Sequence, residues 1–311
     1  MARGKKSNVK RLQLSIIFLL VFFPMCLFFL GIIFFTDTSG FSLSKVASPL
    51  SYNEKWEVIP VTKEEKVVID DVFSQTFTYL DSGTKSYSFV SEDGKYVIKL
   101  FKMKHLLANK WINHIPIPKI LDEYRFEKVA KRDLKLSDIF ESCKIAFQDL
   151  KKQTGLVYIH LNKSKEWKKK LHLVDKNQKE YFLDLDMAEF VLQKKAIPFE
   201  QKISKLMRKN DLVKTRKALK AILDLLDDRC RKGIICKEIS KSTNFIRNYG
   251  FIGDAAVYVD VAGFQRKDSE QASSFNKNDF LKASEKITEW LQEYYPELVA
   301  DFSKEIDTFI Q

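Results

Sequence analysis

The sequence predicts an α+β chain in which a single N-terminal transmembrane helix is followed by a two-lobed domain. Three observations predict it: a long apolar run near the N-terminus, strand-like stretches in the first half of the remainder, and helical apolar stripes in the second half. The predicted parts are a basic tail over 1–11, a transmembrane helix over 12–35, a linker over 36–60, a β-rich lobe over 61–193 and an α-helical lobe over 194–311.

The transmembrane prediction rests on residues 12–35, which contain no charged side chain. At about 1.5 Å per residue this run is long enough to cross a hydrocarbon core of roughly 30 Å. The alternative is a cleaved signal peptide, but its apolar region is normally about 7–15 residues, so an uncleaved single-pass anchor is favoured. Five basic residues precede the run and one lysine closely follows it. The positive-inside rule then predicts a cytoplasmic N-terminus, an extracytoplasmic domain and the lipid bilayer as a partner.

Charge and composition exclude several classes of protein. The net charge is +12, of which the basic tail supplies five charges. The basic residues between 205 and 220 are typical of a solvated helix face, and they lack the interleaved aromatics of a nucleic-acid-binding module. The four cysteines and four histidines have no metal-binding spacing, so neither a zinc enzyme nor a serine-histidine hydrolase is supported.

Periodicity predicts the elements of the domain. Residues 77–102 contain three aromatic and β-branched stretches separated by turns, which predicts a three-stranded meander. An amphipathic helix is predicted over 134–153, with Gly155 as its C-terminal cap. Further strands follow, and from Phe199 onward the pattern is mainly helical, beginning with a stripe over 212–229.

This order resembles the protein-kinase-like superfamily over about residues 75 to 265. LDSGTKSYSF resembles a degraded glycine-rich loop, which implies a phosphate-binding role for Gly83 and Ser86, although an ordinary hairpin turn explains the same letters. YVIKLFK resembles the family's third strand, which implies that Lys99 pairs with nucleotide phosphates and with Glu141 on the following helix. The alternative for Lys99 is a solvent-facing strand lysine.

The rest of the resemblance lies further along the chain. FVLQKKA stands where the hinge strand is expected, which implies that the backbone of Val191 to Gln193 meets the adenine edge of a nucleotide, with Gln193 as the candidate contact. Asn248 and Asp260 are candidate magnesium ligands, with Asn244 competing for the first role and a simple turn for the second. The loop that should carry the catalytic aspartate contains none, so Glu238 is the candidate base.

The resemblance implies ATP and Mg²⁺ as cofactors and two readings of the activity. The chain is a membrane-anchored kinase-like protein, either a divergent ATP-dependent phosphotransferase or a degenerate pseudokinase with weak nucleotide binding and slow or absent turnover. The alternative is a noncatalytic, membrane-tethered binding or scaffolding domain on the extracytoplasmic side. The sequence does not give a substrate, a protein partner or an oligomeric state.

Overall fold

The computed structural model describes residues 18, 22–26, 28, 40–107, 119–237, 239, 245–266 and 272–310; for 119–125, 128 and 272–276 it describes the backbone alone. The chain divides into two compact units, Met1–Ser42 and Leu43–Gln311. The second unit contains every strand and candidate site discussed below.

The predicted fold class and single-pass localisation are wrong in their membrane component. No helix in the described part of the chain is long and apolar enough to cross a bilayer. Of the predicted span 12–35, Phe18, residues 22–26 and Phe28 are described, as helix, and the remainder lies outside the described residues.

The second unit is a mixed α/β domain built on a seven-stranded sheet. Its strand order is β4-β7-β3-β2-β1-β5-β6. The strands are β1 (Thr76–Ser82), β2 (Ser86–Ser91), β3 (Tyr96–Phe101), β4 (Leu156–His160), β5 (Lys170–Val174), β6 (Glu180–Asp184) and β7 (Phe190–Lys194). Neighbours pair antiparallel except β1 and β5, which are parallel. The predicted meander over 77–102 is confirmed as β1 to β3.

Helices and short strands complete the unit. The helices are α1 (Leu43–Val46), α2 (Lys63–Phe73), α3 (Met103–Leu106), α4 (Lys119–Asp149), α5 (Lys151–Thr154), α6 (Phe199–Arg208), α7 (Leu212–Arg231), α8 (Ala272–Tyr294) and α9 (Val299–Ile310). The short strands are β8 (Ile197–Pro198), β9 (Ile234–Cys236), β10 (Tyr249–Ile252), β11 (Ala255–Tyr258) and β12 (Phe264–Arg266). Gly155 caps α5 with a left-handed backbone, φ 64°.

The predicted linker over 36–60 contributes to the core of the domain. The Trp56 ring meets the Phe140 ring edge to face, with 5.1 Å between centroids, and the Phe101 ring also contacts Phe140, at 5.5 Å. Burial of an aromatic side chain and its packing against another ring stabilise the fold, so Trp56 contributes stability that a solvated linker residue does not. The serine-rich composition of the segment gives no sign of this packing.

A buried ion pair organises the helical half. Arg229 on α7 is fully buried and donates to the Asp279 carboxylate on α8 at 2.5 Å, to the Tyr258 hydroxyl at 2.9 Å and to the Ile234 carbonyl at 3.2 Å. The Asp279 carboxylate also accepts the N–H of Cys236 at 3.2 Å. The pair therefore joins two helices to β9 and β11.

We predict that Asp279→Ala lowers the free energy of unfolding by about 3–5 kcal/mol, because it leaves the Arg229 charge buried without a partner. Urea denaturation followed by circular dichroism measures this change. Glu289→Ala, which removes an exposed ion pair with Lys286, is the matched control and should change stability by less than about 1 kcal/mol. Equal effects of the two substitutions would contradict the structural role of the buried pair.

Candidate functional site

Lys99 lies in the middle of β3, opposite Ser88 on β2 and Val191 on β7. Its ammonium reaches beneath the sheet and donates a hydrogen bond to the backbone carbonyl of Val259, just after β11. The residue as a whole is partly exposed, but protein packs closely around the ammonium, and this burial lowers the pKa of Lys99, while attraction to Asp260 opposes the shift. The Lys99 ammonium is thus enclosed by protein, and Lys99 is not a solvent-facing strand lysine.

Helix α4 does not give Lys99 an acidic partner. Glu141 is exposed, and the described structure contains no ion pair between it and Lys99. The buried stripe of the helix includes Phe140, Cys143 and Phe147, at helical spacing. Since successive residues on a helix are rotated by about 100°, this stripe directs Glu141 toward solvent. The predicted Lys99–Glu141 pair is therefore not formed.

Cys143 takes the inward position on the helix. It is 1% exposed, and burial raises the pKa of its thiol to about 12, with the Asp260 carboxylate adding to the shift and Lys99 opposing it. The thiol is therefore neutral at physiological pH. The sequence carried a signal for this arrangement, because Cys143 falls three residues after Phe140 on the apolar stripe, whereas Glu141 falls off it.

Asn248 and Asp260 lie together at the open end of the β10–β11 hairpin. Tyr249 is opposite Tyr258, and the next pair is closed by the Val259 N–H, which donates to the Asn248 carbonyl at 2.7 Å. One Asp260 oxygen accepts the N–H of Ala262 at 3.0 Å, so the carboxylate does act as a turn residue.

The donor set at this end of the hairpin has the right chemistry for magnesium but is sparse. Mg²⁺ commonly takes one or two protein carboxylates and completes its shell with water and phosphate. Asn248 and Asp260 supply an amide and a carboxylate, with the Lys99 ammonium attracted to the same carboxylate. Among the described residues no group of three or more His, Cys, Asp and Glu side chains is placed to hold a metal ion.

Ser142 fixes the segment that follows Asp260. Its hydroxyl donates to the Val261 carbonyl at 2.5 Å and accepts the Phe264 N–H at 2.7 Å. On the other side of the segment, the Lys237 N–H donates to the Gly263 carbonyl at 3.0 Å. The segment is held to helix α4 by a side chain that sequence reasoning did not single out.

The β1–β2 hairpin is closed on itself at its tip. The Gly83 N–H donates to the Ser86 carbonyl at 3.0 Å, so this amide is already paired. The Lys102 ammonium donates to the Gly83 carbonyl at 2.5 Å and to the Ser82 hydroxyl at 2.7 Å. Gly83 has no left-handed φ, and a Cβ there would come no closer than 4.0 Å to another heavy atom. The geometry at Gly83 is that of an ordinary turn.

Gln193 is committed to structure. It is 3% exposed, and its amide nitrogen donates to the carbonyls of Thr154 and Tyr258. The backbone after Gln193 is also paired. The Lys194 N–H donates to the Gly155 carbonyl and the Lys195 N–H donates to the Lys95 carbonyl, both at 2.8 Å. The strand edge predicted to meet a nucleotide base is therefore occupied by the protein's own chain.

The candidate base Glu238 lies outside the described residues, as does Asn244. On either side of Glu238, Lys237 is bonded to Gly263 as noted above, and the Ile239 side chain is buried at 3% exposure. The role of Glu238 stays a prediction.

We predict that Ser142→Ala lowers the free energy of unfolding by about 1–3 kcal/mol, because a buried carbonyl and a buried N–H both lose their partner. Ser137→Ala on the same helix, whose hydroxyl accepts from Lys55 at the surface, should cost less than about 0.5 kcal/mol. Chemical denaturation of both variants gives the comparison. A similar small loss in both would show that Ser142 does not hold the segment.

We further predict that Cys143 resists alkylation in the native chain. A buried, neutral thiol reacts slowly, since the thiolate is the nucleophile. Iodoacetamide labelling at pH 8, read by peptide mass spectrometry, should modify Cys143 at least about 100-fold more slowly in buffer than in urea. Cys26, which is exposed, serves as the internal reference. Rapid native labelling of Cys143 would mean that helix α4 is not seated against Lys99.

Comparison with known proteins adds no family to this geometry. No protein-family model matches the sequence, and none of the curated proteins matches it significantly. The kinase-like resemblance therefore rests on residues of this chain alone: a lysine on the third strand, an aspartate after a short hairpin, and the helix between them.

Proposed function

We propose that this protein is a degenerate member of the protein-kinase-like superfamily, a pseudokinase that acts as a noncatalytic binding or scaffolding module. One observation carries the proposal: the Lys99 ammonium is hydrogen-bonded to the Val259 carbonyl, while the glutamate expected to pair with it is exposed. A lysine held in this way is an internal tie between the sheet and the hairpin end. It is poorly placed to receive nucleotide phosphates.

Phosphoryl transfer in protein kinases needs both a lysine-glutamate ion pair and an aspartate-bound magnesium. Bringing Glu141 inward would require rotating α4 by about 100°, which would expose the stripe that includes Phe140 and Phe147. Exposing one such buried side chain to water costs about 1.5–3 kcal/mol. This cost exceeds the stabilisation that a solvent-exposed ion pair provides. An active arrangement of this helix is therefore disfavoured by its own packing.

The other expected nucleotide contacts support the same proposal. Gly83 pairs within its own hairpin, and Gln193 spends its amide on two backbone carbonyls. Asn248 and Asp260 are the exception, because together they keep a magnesium-compatible donor pair. This pair is the one feature that favours the second candidate function, a divergent ATP-dependent phosphotransferase.

Titration calorimetry of the full chain with ATP, with and without Mg²⁺, separates the two candidates. We expect a dissociation constant weaker than about 1 mM, equivalent to about −4 kcal/mol, and no phosphate release above the buffer rate. The reason is that Lys99, Gly83 and Gln193 must each give up an internal hydrogen bond before they can contact a ligand.

Lys99→Met sharpens this experiment, with the exposed Lys95→Met as its matched control. If the protein is a pseudokinase, neither substitution should change its affinity for the nucleotide. Magnesium-dependent binding near 10 μM that Lys99→Met removes and Lys95→Met preserves would overturn the proposal. Turnover lost in Asp260→Asn would then support the phosphotransferase, and turnover that survives Glu238→Gln would exclude Glu238 as its base.

A further inference from the structure

The first segment of the domain, residues 43–50, crosses the end of the sheet as a strap. It begins with α1, in which Val46 is fully buried. Ala47 forms an isolated antiparallel bridge with Ala188, and the Ser48 N–H donates to the Met187 carbonyl at 3.4 Å. The strap is thus attached to the residues that lead into β7 through a few backbone contacts.

Glu189 lies beneath the strap and is 1% exposed. The Ser48 hydroxyl is hydrogen-bonded to its carboxyl group, whereas its Oε2 has no partner in the described structure. The Glu189 backbone is fixed as well, since its carbonyl accepts the Phe101 N–H at 3.2 Å. The side chain therefore has no easy route to solvent while the strap is docked.

Ionising a buried carboxyl group costs free energy when one of its oxygens has no partner, because the protein does not fully replace the hydrogen bonds that water would give the carboxylate. Burial raises the pKa of Glu189 to about 7, opposed by the Ser48 hydrogen bond and by attraction to Lys163. Other ionisable groups on the elements around it include Asp186, which accepts three backbone N–H groups, His160, which is bonded to the Ala188 carbonyl, Lys45 on α1, and Lys102 just after β3. Burial lowers the pKa of His160 below its usual value, so it loses its proton at a lower pH than Glu189.

We propose that the strap and Glu189 form a proton-controlled latch, docked while Glu189 is protonated and loosened when Glu189 ionises. The sign follows from linkage: the docked state holds the proton more tightly than the open state, so docking is strongest at low pH and weakens as pH rises through neutrality. The latch goes beyond the proposed function and does not depend on nucleotide binding.

The strap is connected to the β1–β2 hairpin through neighbouring contacts. Helix α1 packs against α3, and the residue just before α3 is Lys102, whose ammonium holds Gly83 and Ser82 at the hairpin tip. Burial lowers the pKa of Lys102, and the nearby charge of Lys45 on the strap lowers it further. Loosening the strap removes both the repulsion between Lys45 and Lys102 and the packing of α1 against α3.

Hydrogen exchange of the full chain, read by mass spectrometry at pH 6 and pH 8 and corrected for intrinsic exchange rates, tests the latch. With a docked pKa of about 7 and an open-state pKa of about 4.5, protection of residues 43–50 should fall about tenfold between the two pH values. Protection of peptides from the centre of α4 should stay constant, which excludes global unfolding.

Glu189→Gln keeps the shape of the protonated side chain and cannot ionise, so its strap should remain protected at both pH values. Glu92→Gln, at an exposed turn position, is the matched control and should behave like the unaltered chain. Strap protection that does not change with pH in the unaltered chain would overturn the proposal. So would a tenfold fall that persists in Glu189→Gln, because another group would then be responsible.

Discussion

The candidate site depends on one constraint, the buried apolar contacts between helix α4 and the large sheet. Phe140 is fully buried and contacts both Trp56 and Phe101, and these contacts set the rotation of the helix about its axis. Once that rotation is set, Ser142 meets the segment after Asp260 and Glu141 faces solvent. The electrostatics of the candidate site are therefore a consequence of hydrophobic packing, which is non-directional but large in total.

The site combines groups that carry charge with surroundings that suppress it. The Lys99 ammonium is enclosed and bonded to a carbonyl, Cys143 stays neutral, and the Asp260 carboxylate accepts from its own turn. Burial and neighbouring charges perturb pKa values both at active sites and in structural ion-pair networks. In this chain Lys99, Cys143 and Asp260 meet where the sheet, helix α4 and the end of the β10–β11 hairpin come together.

Sequence reasoning succeeded where local periodicity decides the outcome. The alternation over 77–102 predicted β1 to β3, and the apolar stripe over 212–229 predicted α7. It failed where a long-range contact decides. The order of residues in the chain favours Glu141, but the helix face that it occupies is decided by packing against distant residues, and Trp56 gives no local sign of its distant partner. The side-chain bonds of Gln193 are equally invisible to periodicity, since both carbonyl acceptors lie far away in the sequence.

The parallel pairing of β1 with β5 sets the order in which the domain can assemble. Phe77 lies opposite Leu173, so this edge of the sheet closes a loop of about 100 residues that includes α4 and β4. Pairings over such separations raise contact order and slow folding. During synthesis the meander can form early, but β1 keeps an open edge until β5 emerges. An exposed, unpaired strand edge is a template for intermolecular pairing, so this interval is when the chain is most prone to aggregate.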